Sequence, residues 1–315
     1  VKHRIIGKIG LAAVLGTLSL LGGGGQALRA AEAFIVVDNQ TGHILASKNS
    51  REKRQIASLT KLATALVVLD MAELKKIDLN QVAVIPPSVM NIGGINPLGL
   101  QQGDAMSLRD LLYCSLLASD NIAATTLAHH AGTRVPNPEG LSPVGNFVVQ
   151  MNALARGLKM RRTLFLNPSG LDAGDQTLPF STVEDLARLT RYAYTDGDIP
   201  FYVSQKSRTV IVFREGQERP ITINNTNELL GQEGIDGVKT GRTSRAGDCL
   251  ILSSERTPEV RKVGTTTYVT PRRIQIVLLG SRDRFGEGIG LTRRGWGLYD
   301  AWAQQGRKTD KSKSL

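Results

Sequence analysis

Ser58-Leu59-Thr60-Lys61-Leu62-Ala63-Thr64-Ala65-Leu66-Val67-Val68-Leu69 opens a helix. Its apolar residues at 59, 62, 63, 66, 67 and 69 recur at helical spacing and cover most of its sides, which predicts a buried helix. Ser58 then falls at the first turn, and Lys61, three residues on, shares its face within reach. A serine hydroxyl becomes a nucleophile when a neighbouring base takes its proton, and a lysine can be that base only if its pKa is lowered. Burial in so apolar a helix lowers it, and a second ammonium nearby adds to the effect. A lone Ser-x-x-Lys is ordinarily an exposed helix pair, so its meaning depends on what accompanies it.

Two further stretches accompany it, in order and at domain-scale spacing. Ser119-Asp120-Asn121 follows the run Leu111 to Ala118 and precedes another helix, so it forms a short interhelical loop. Such a loop presents a hydroxyl and a carboxamide to a cleft: Ser119 to relay a proton to a leaving amine, Asn121 to bond a substrate amide. The same residue types are preferred helix N-caps, and one loop can do both. Ile235-Asp236-Gly237-Val238-Lys239-Thr240-Gly241 reads as an extended segment in which Gly241 lets a substrate lie against the strand edge. Lys239 and Thr240 would hold a carboxylate, and the backbone N–H of Arg242 would complete an oxyanion hole with that of Ser58.

The chain has 315 residues, of which 41% are hydrophobic and 5% aromatic, enough for a sizeable core without repeats or low-complexity tracts. Lys2, Arg4 and Lys8, the apolar run Ile9 to Leu21 and small residues from Gly22 to Ala33 read as an export leader over 1–30. The run is too short for a membrane span; Ala31-Glu32-Ala33 has the small-x-small form of a cleavage site, and a cut at Leu28-Arg29-Ala30 would instead keep the lead-in to the next segment. A cleaved leader is expected, a retained anchor being the alternative, and either puts the protein outside the cytoplasmic membrane, periplasmic or otherwise extracytoplasmic. The net charge of +11 then fits a solvated basic surface or contact with anionic wall polymers or lipids. Nucleic acid is not expected as a partner, since no binding motif accompanies the charge. Cys114 and Cys249 sit in apolar surroundings and are expected to be buried free thiols. His129 and His130 are adjacent and point apart, and His43 lies in a hairpin, so no metal-ligand set is present.

Phe34-Ile35-Val36-Val37 and His43-Ile44-Leu45-Ala46 flank a turn and predict a β-hairpin. Helical patterns follow at Leu108–Leu117, Asn121–Ala131, Asn146–Leu158 and Thr182–Tyr194, with an irregular Pro-rich stretch at Thr133–Gly145. Strands are expected at Thr209–Phe213, Pro220–Ile223, Cys249–Ser253 and Ile274–Leu279, then a closing helix over Leu291–Ala303. This order implies one sheet built from both ends of the chain with a helical insertion at about 75–205, in a domain over 31–305 followed by a basic tail, 306–315.

The stretches Ala57–Leu62, Leu111-Leu112-Tyr113 leading to Leu117–Asn121, Phe165-Leu166-Asn167-Pro168-Ser169-Gly170-Leu171, Asn225-Thr226-Asn227 and Gly234–Gly241 together resemble one family. It is that of the serine-type D-alanyl-D-alanine carboxypeptidases, the low-molecular-mass penicillin-binding proteins. The resemblance runs from Phe34 to about Trp302. It implies a mixed α/β fold of the β-lactamase and transpeptidase type, with an antiparallel five-stranded sheet, helices on both faces and a mainly helical subdomain. It further implies catalytic roles for Ser58, Lys61 and Ser119 and substrate-binding roles for Asn121, Lys239, Thr240, Gly241 and Arg242, with no metal or other cofactor. The implied substrates are peptidoglycan stem peptides ending in D-Ala-D-Ala, and β-lactam antibiotics are the implied inhibitors.

Position 242 departs from the family, where His or an aromatic is common; the arginine puts a positive charge beside the carboxylate site. Some relatives continue into a C-terminal β-domain and an amphipathic anchor, whereas Arg307–Leu315 has no apolar face for insertion. Arg284 is expected to be a surface charge and is a minor candidate for the substrate carboxylate. Arg261, Lys262, Arg272 and Arg273 are expected to form a basic hairpin arm suited to polymer contact. A class A β-lactamase is disfavoured because no Glu-x-x-Leu-Asn lies between the second and third motifs. A D,D-endopeptidase acting on crosslinks remains the alternative, and a non-catalytic wall-binding protein would have no use for the Ser58–Lys61 pair.

Overall fold

Alternation along the strands at the two ends of the chain sets the architecture of the computed structural model, which describes residues 31–172, 178–195 and 198–315. The leader expected over 1–30 lies outside the described residues. The first hairpin is β1 (Ala33–Asp38) and β2 (Ile44–Lys48), and the apolar helix is α1 (Thr60–Lys75). Next come β3 (Val82–Val84), β4 (Ala105–Ser107), α2 (Leu108–Leu116), α3 (Asn121–Gly132), α4 (Pro143–Gly157), α5 (Val183–Thr195) and α6 (Ile199–Val203). A second hairpin, β5 (Ser207–Arg214) and β6 (Gln217–Asn224), precedes β7 (Ile235–Thr243), β8 (Gly247–Val263), β9 (Thr266–Ser281) and α7 (Arg284–Gln304).

The main sheet has the order β2-β1-β9-β8-β7, every neighbour antiparallel, so β7 is an edge strand. Successive residues of a strand point to opposite faces. Ile35, Val37, Cys249, Ile251, Val277 and Leu279 enter one core with α1 and the other helices. Val36, Leu250, Leu252, Ile274, Ile276 and Leu278 enter a second core against Trp296, Tyr299 and Trp302 of α7. Helices therefore cover both faces, as expected, and α1 is buried along almost its whole length. Cys114 and Cys249 are buried free thiols.

The single sheet expected from the sequence is corrected. The hairpin at Thr209–Phe213 and Pro220–Ile223 does not join it; with β3 and β4 it makes a separate four-stranded sheet of order β3-β4-β5-β6. Val210, Val212 and Ile223 anchor that sheet beneath the helices, and Arg214 donates two hydrogen bonds to the buried Asp104, at 2.7 and 2.6 Å. Burial alone would raise the Asp104 pKa, but the Arg214 hydrogen bonds overcome it and hold the carboxyl below its ordinary value. The closing helix begins at Arg284, seven residues before the expected Leu291, because Asp283 caps it by accepting from Gly286 N at 2.9 Å.

The arm expected at 255–273 exists as an extension of β8 and β9, but half of its basic set is internal. Arg272 donates to Asp300 of α7 at 2.9 Å, and Arg273 to Asp236 and Glu255 at 2.5 and 2.6 Å. Near the end of the chain, Leu315 N donates to Gly42 O, and His43 stacks on Trp302 with ring centroids 4.5 Å apart. Among the described residues no helix is long and apolar enough to cross a membrane.

Candidate active site

Ser58 stands on a single 3-10 turn, Ala57–Leu59, immediately before α1 rather than within it. Lys61, the second residue of the buried helix, has no solvent exposure. Its Nζ donates to Ser58 Oγ at 2.9 Å, to Asn121 Oδ1 at 2.7 Å and to the carbonyl oxygen of Ser169 at 3.0 Å. Three acceptors match the three donors of an ammonium, yet burial lowers the lysine pKa to about 7 against an opposing pull from Asp120. At neutral pH the amine is thus poised between donating to the serine and accepting its proton.

The Ser119–Asn121 loop links α2 to α3 and caps as well as presents. Asp120 is the N-cap of α3, its Oδ1 accepting from Ala123 N at 2.8 Å. Ser119 is buried with φ of +60°, a left-handed conformation that a serine rarely adopts without support from its surroundings. Asn121, read from the sequence as a ligand for the substrate amide, is turned inward, and its carboxamide oxygen is occupied by Lys61.

Sequence reasoning assigned no role to the loop that closes the lysine site from the other side. Asn167 Oδ1 accepts from Ser169 N, Ser169 Oγ and Gly170 N, and its Nδ2 donates to Leu171 O. Thr64 of α1 donates to Pro168 O at 2.7 Å, which fastens the loop to the helix and aims the Ser169 carbonyl at Lys61. The Asn-Pro-Ser-Gly composition announced a turn; that one of its carbonyls would meet Lys61 had no signal in the side chains.

Gly170 in this loop has φ of +80°, and a Cβ there would come within 1.9 Å of the carbonyl oxygen of Ala57, the residue before Ser58. Gly170→Ala is expected to lower the unfolding free energy by about 3 kcal/mol, against about 1 kcal/mol for Gly216→Ala. Gly216 shares the left-handed φ, +75°, but has nothing within 4 Å. Urea denaturation of the pair separates the clash from the backbone term; equal losses would mean that the Ala57 contact relaxes away.

On the opposite wall the edge strand β7 brings Lys239, Thr240 and Gly241 beside the serine turn. A Cβ on Gly241 would lie 3.1 Å from both Ser58 N and Ile56 O, so only glycine allows this approach without displacement. Lys239 is buried, donates to Thr240 O at 3.0 Å, and has its pKa pushed well down by burial, then by the charges of Lys61 and Arg284. Thr240 Oγ1 lies 2.7 Å from Thr226 Oγ1. Asn227 donates to Gly237 O at 3.0 Å, and Thr226 N to Leu117 O, so the 225–227 segment ties β7 to the helical side.

Arg242 is outside this cluster: its side chain is 76% exposed and its Nε lies 3.5 Å from Asp248 Oδ1. Arg284 donates to Gly241 O at 3.2 Å and to Asp248 at 3.4 Å, so it braces β7 from behind instead of standing as a surface charge. The structure therefore gathers Ser58, Lys61, Ser119, Asn121, Lys239, Thr240 and Gly241 where the serine turn, α3 and the β7 edge meet.

This fold is that of the penicillin-binding transpeptidases. Penicillin-binding protein D2 of Listeria monocytogenes, solved in its ampicillin-bound form, is 27% identical with a TM-score of 0.68, over 84% of this chain and 97% of that one. The chain belongs to the D-alanyl-D-alanine carboxypeptidase family, whose sequence model matches residues 25–263. It is 34% identical over 230 residues to a D-alanyl-D-alanine endopeptidase of Pseudomonas aeruginosa, covering 71% of this chain and 66% of the relative. It is also 34% identical over 242 residues to a D-alanyl-D-alanine carboxypeptidase of Escherichia coli, covering 71% and 55%. The chain thus spans between about half and two thirds of the length of these curated relatives.

Proposed function

We propose that this chain is a serine D,D-carboxypeptidase that removes the terminal D-alanine from peptidoglycan stem peptides outside the cytoplasmic membrane. The observation that carries the proposal is Lys61 Nζ, 2.9 Å from Ser58 Oγ and with a pKa near 7. The stem peptide lies along the free edge of β7, its terminal carboxylate held by Lys239 and Thr240. Burial and the charges of Lys61 and Arg284 disfavour the Lys239 ammonium, and an arriving carboxylate supplies the counter-charge that favours its protonated form.

Ser58 Oγ attacks the penultimate carbonyl while neutral Lys61 takes its proton, and the oxyanion is met by the backbone N–H groups of Ser58 and Arg242. Collapse breaks the C–N bond, and terminal D-alanine leaves with a proton relayed through Ser119. Water then attacks the ester, releasing the shortened peptide and restoring the Ser58 hydroxyl. In a β-lactam the severed amine stays tethered to the acyl group, so it does not diffuse away and the adduct persists. Ampicillin bound to the Listeria relative supports this class of inhibitor.

The endopeptidase name of the Pseudomonas relative favours a second reading, in which the leaving amine belongs to a crosslinked peptide. Both are tested by incubating the protein with a pentapeptide muropeptide and with a crosslinked dimer, followed by chromatography and mass analysis. The expected result is loss of one D-alanine from the pentapeptide, faster than the dimer is cut. Faster cleavage of the dimer would make the endopeptidase the principal activity, and no cleavage of either would end both readings.

A further inference from the structure

We infer that the tip of the β8–β9 ribbon is a membrane contact that enters an anionic lipid surface, an inference independent of the catalytic reading. β7 pairs with β8 no further than Ser254, and β1 with β9 no further than Ile274; beyond the backbone bonds of Glu255 N to Gly234 O and of Asn39 N to Arg273 O, residues 256–272 project as a two-stranded ribbon whose outer edges pair with no other strand among the described residues. An isolated two-stranded ribbon is marginal in water, and exposed apolar edges are ordinarily covered or charged. The base of this one is secured: Arg273 holds Asp236 and Glu255, Arg256 and Arg272 share Asp300, and Arg307 holds Glu259.

The tip is different. From Val260 to Thr270 the sequence contains no acid, and its charges are Arg261 and Lys262. Four apolar side chains stand more than half exposed there: Val260 60%, Val263 52%, Tyr268 51% and Val269 59%. The register pairs Val260 with Val269 and Lys262 with Thr267 on one face, and Arg261 with Tyr268 and Val263 with Thr266 on the other. Each face therefore carries two apolar groups and one cation.

That two-sided pattern decides the occupant. A protein laid on one face would leave the other face's apolar pair in water, and a hydrated polyanionic wall polymer would meet the cations but none of the four apolar groups. Tip-first entry into a bilayer surface covers both faces at once, while Arg261 and Lys262 extend to the phosphates. The stretch from Glu259 to Gly264 reaches about 17 Å, longer than the roughly 5–10 Å depth of an interfacial element.

The test is vesicle sedimentation of residues 31–315, which hold every described element, with phosphatidylcholine vesicles with and without one-third phosphatidylglycerol. Partition into the anionic vesicles is expected to exceed that into neutral ones by at least about tenfold. Two variants, Val260→Ser/Val263→Ser/Tyr268→Ser/Val269→Ser and Arg261→Gln/Lys262→Gln, should each lose most of that binding, about tenfold, while unfolding at the wild-type temperature. Wild-type binding by either variant would overturn the inference. So would a lipid-free dimer in sedimentation velocity that the same substitutions dissociate, since the ribbon would then be covered by a second copy of the chain.

Discussion

Ser58→Ala is expected to take up no benzylpenicillin and to release no D-alanine, while unfolding within about 1 kcal/mol of the wild type, the worth of one lost hydrogen bond. The wild-type protein mixed with benzylpenicillin should gain the mass of a single drug molecule. The variant should gain nothing, because Lys61 then has no hydroxyl to deprotonate at 2.9 Å. The fold should survive because Ser58 is half-buried on a 3-10 turn and Lys61 keeps its bonds to Asn121 and Ser169. Intact mass reads the result directly. An adduct on the variant would move the nucleophile elsewhere, Ser119 being the next hydroxyl in the cluster, and would end the Ser58 acyl-enzyme.

The parts of this site that were legible in the sequence are those whose chemistry is carried by side chains in local patterns. Ser58 and Lys61 could be paired because helical spacing fixes which residues share a face, and the apolar run implied the burial that lowers the lysine pKa. The covering of both sheet faces was implied by the family resemblance; in the structure Ile35 and Val37 enter one core and Val36 the other.

What escaped was set by partners distant in the chain. The carbonyl of Ser169 is a backbone group common to every residue, and only the fastening of its loop to Thr64 makes it a ligand of Lys61. The β5–β6 hairpin has the same alternation as the strands of the main sheet; its register with β4, Ala105 opposite Phe213, decides which sheet it joins. β3 and β4, three residues each, are too short for alternation to register. Arg272, Arg273 and Arg284 looked like free charges because Asp300, Asp236 and the Gly241 carbonyl are remote in sequence.

Lys61→Met should lower the rate of benzylpenicillin acylation at least a thousandfold and remove its rise with pH. In the proposed mechanism the base is the neutral amine, so the acylation rate should climb as pH rises through about 7, where Lys61 loses its proton. The same substitution tests the titration without catalysis. Unfolded Lys61 holds its proton up to about 10.5, whereas folded Lys61 releases it near 7, so between those values the unfolded state binds the extra proton and stability increases with pH. Below pH 7 both states are protonated and the burial penalty is present in full. The wild type should therefore gain on Lys61→Met as pH rises from 7 to 10.5, by up to about 1.4 kcal/mol per pH unit and on the order of 4 kcal/mol across the window. Lys239 is also buried and shifted down, in part by the Lys61 charge, so the comparison is made in a Lys239→Gln background, where its titration drops out. A stability difference that stays flat over this range, measured by urea denaturation, would mean that Lys61 remains charged beside Ser58. A charged Lys61 cannot take the serine proton, and the base would then have to be sought among the other groups that face Ser58.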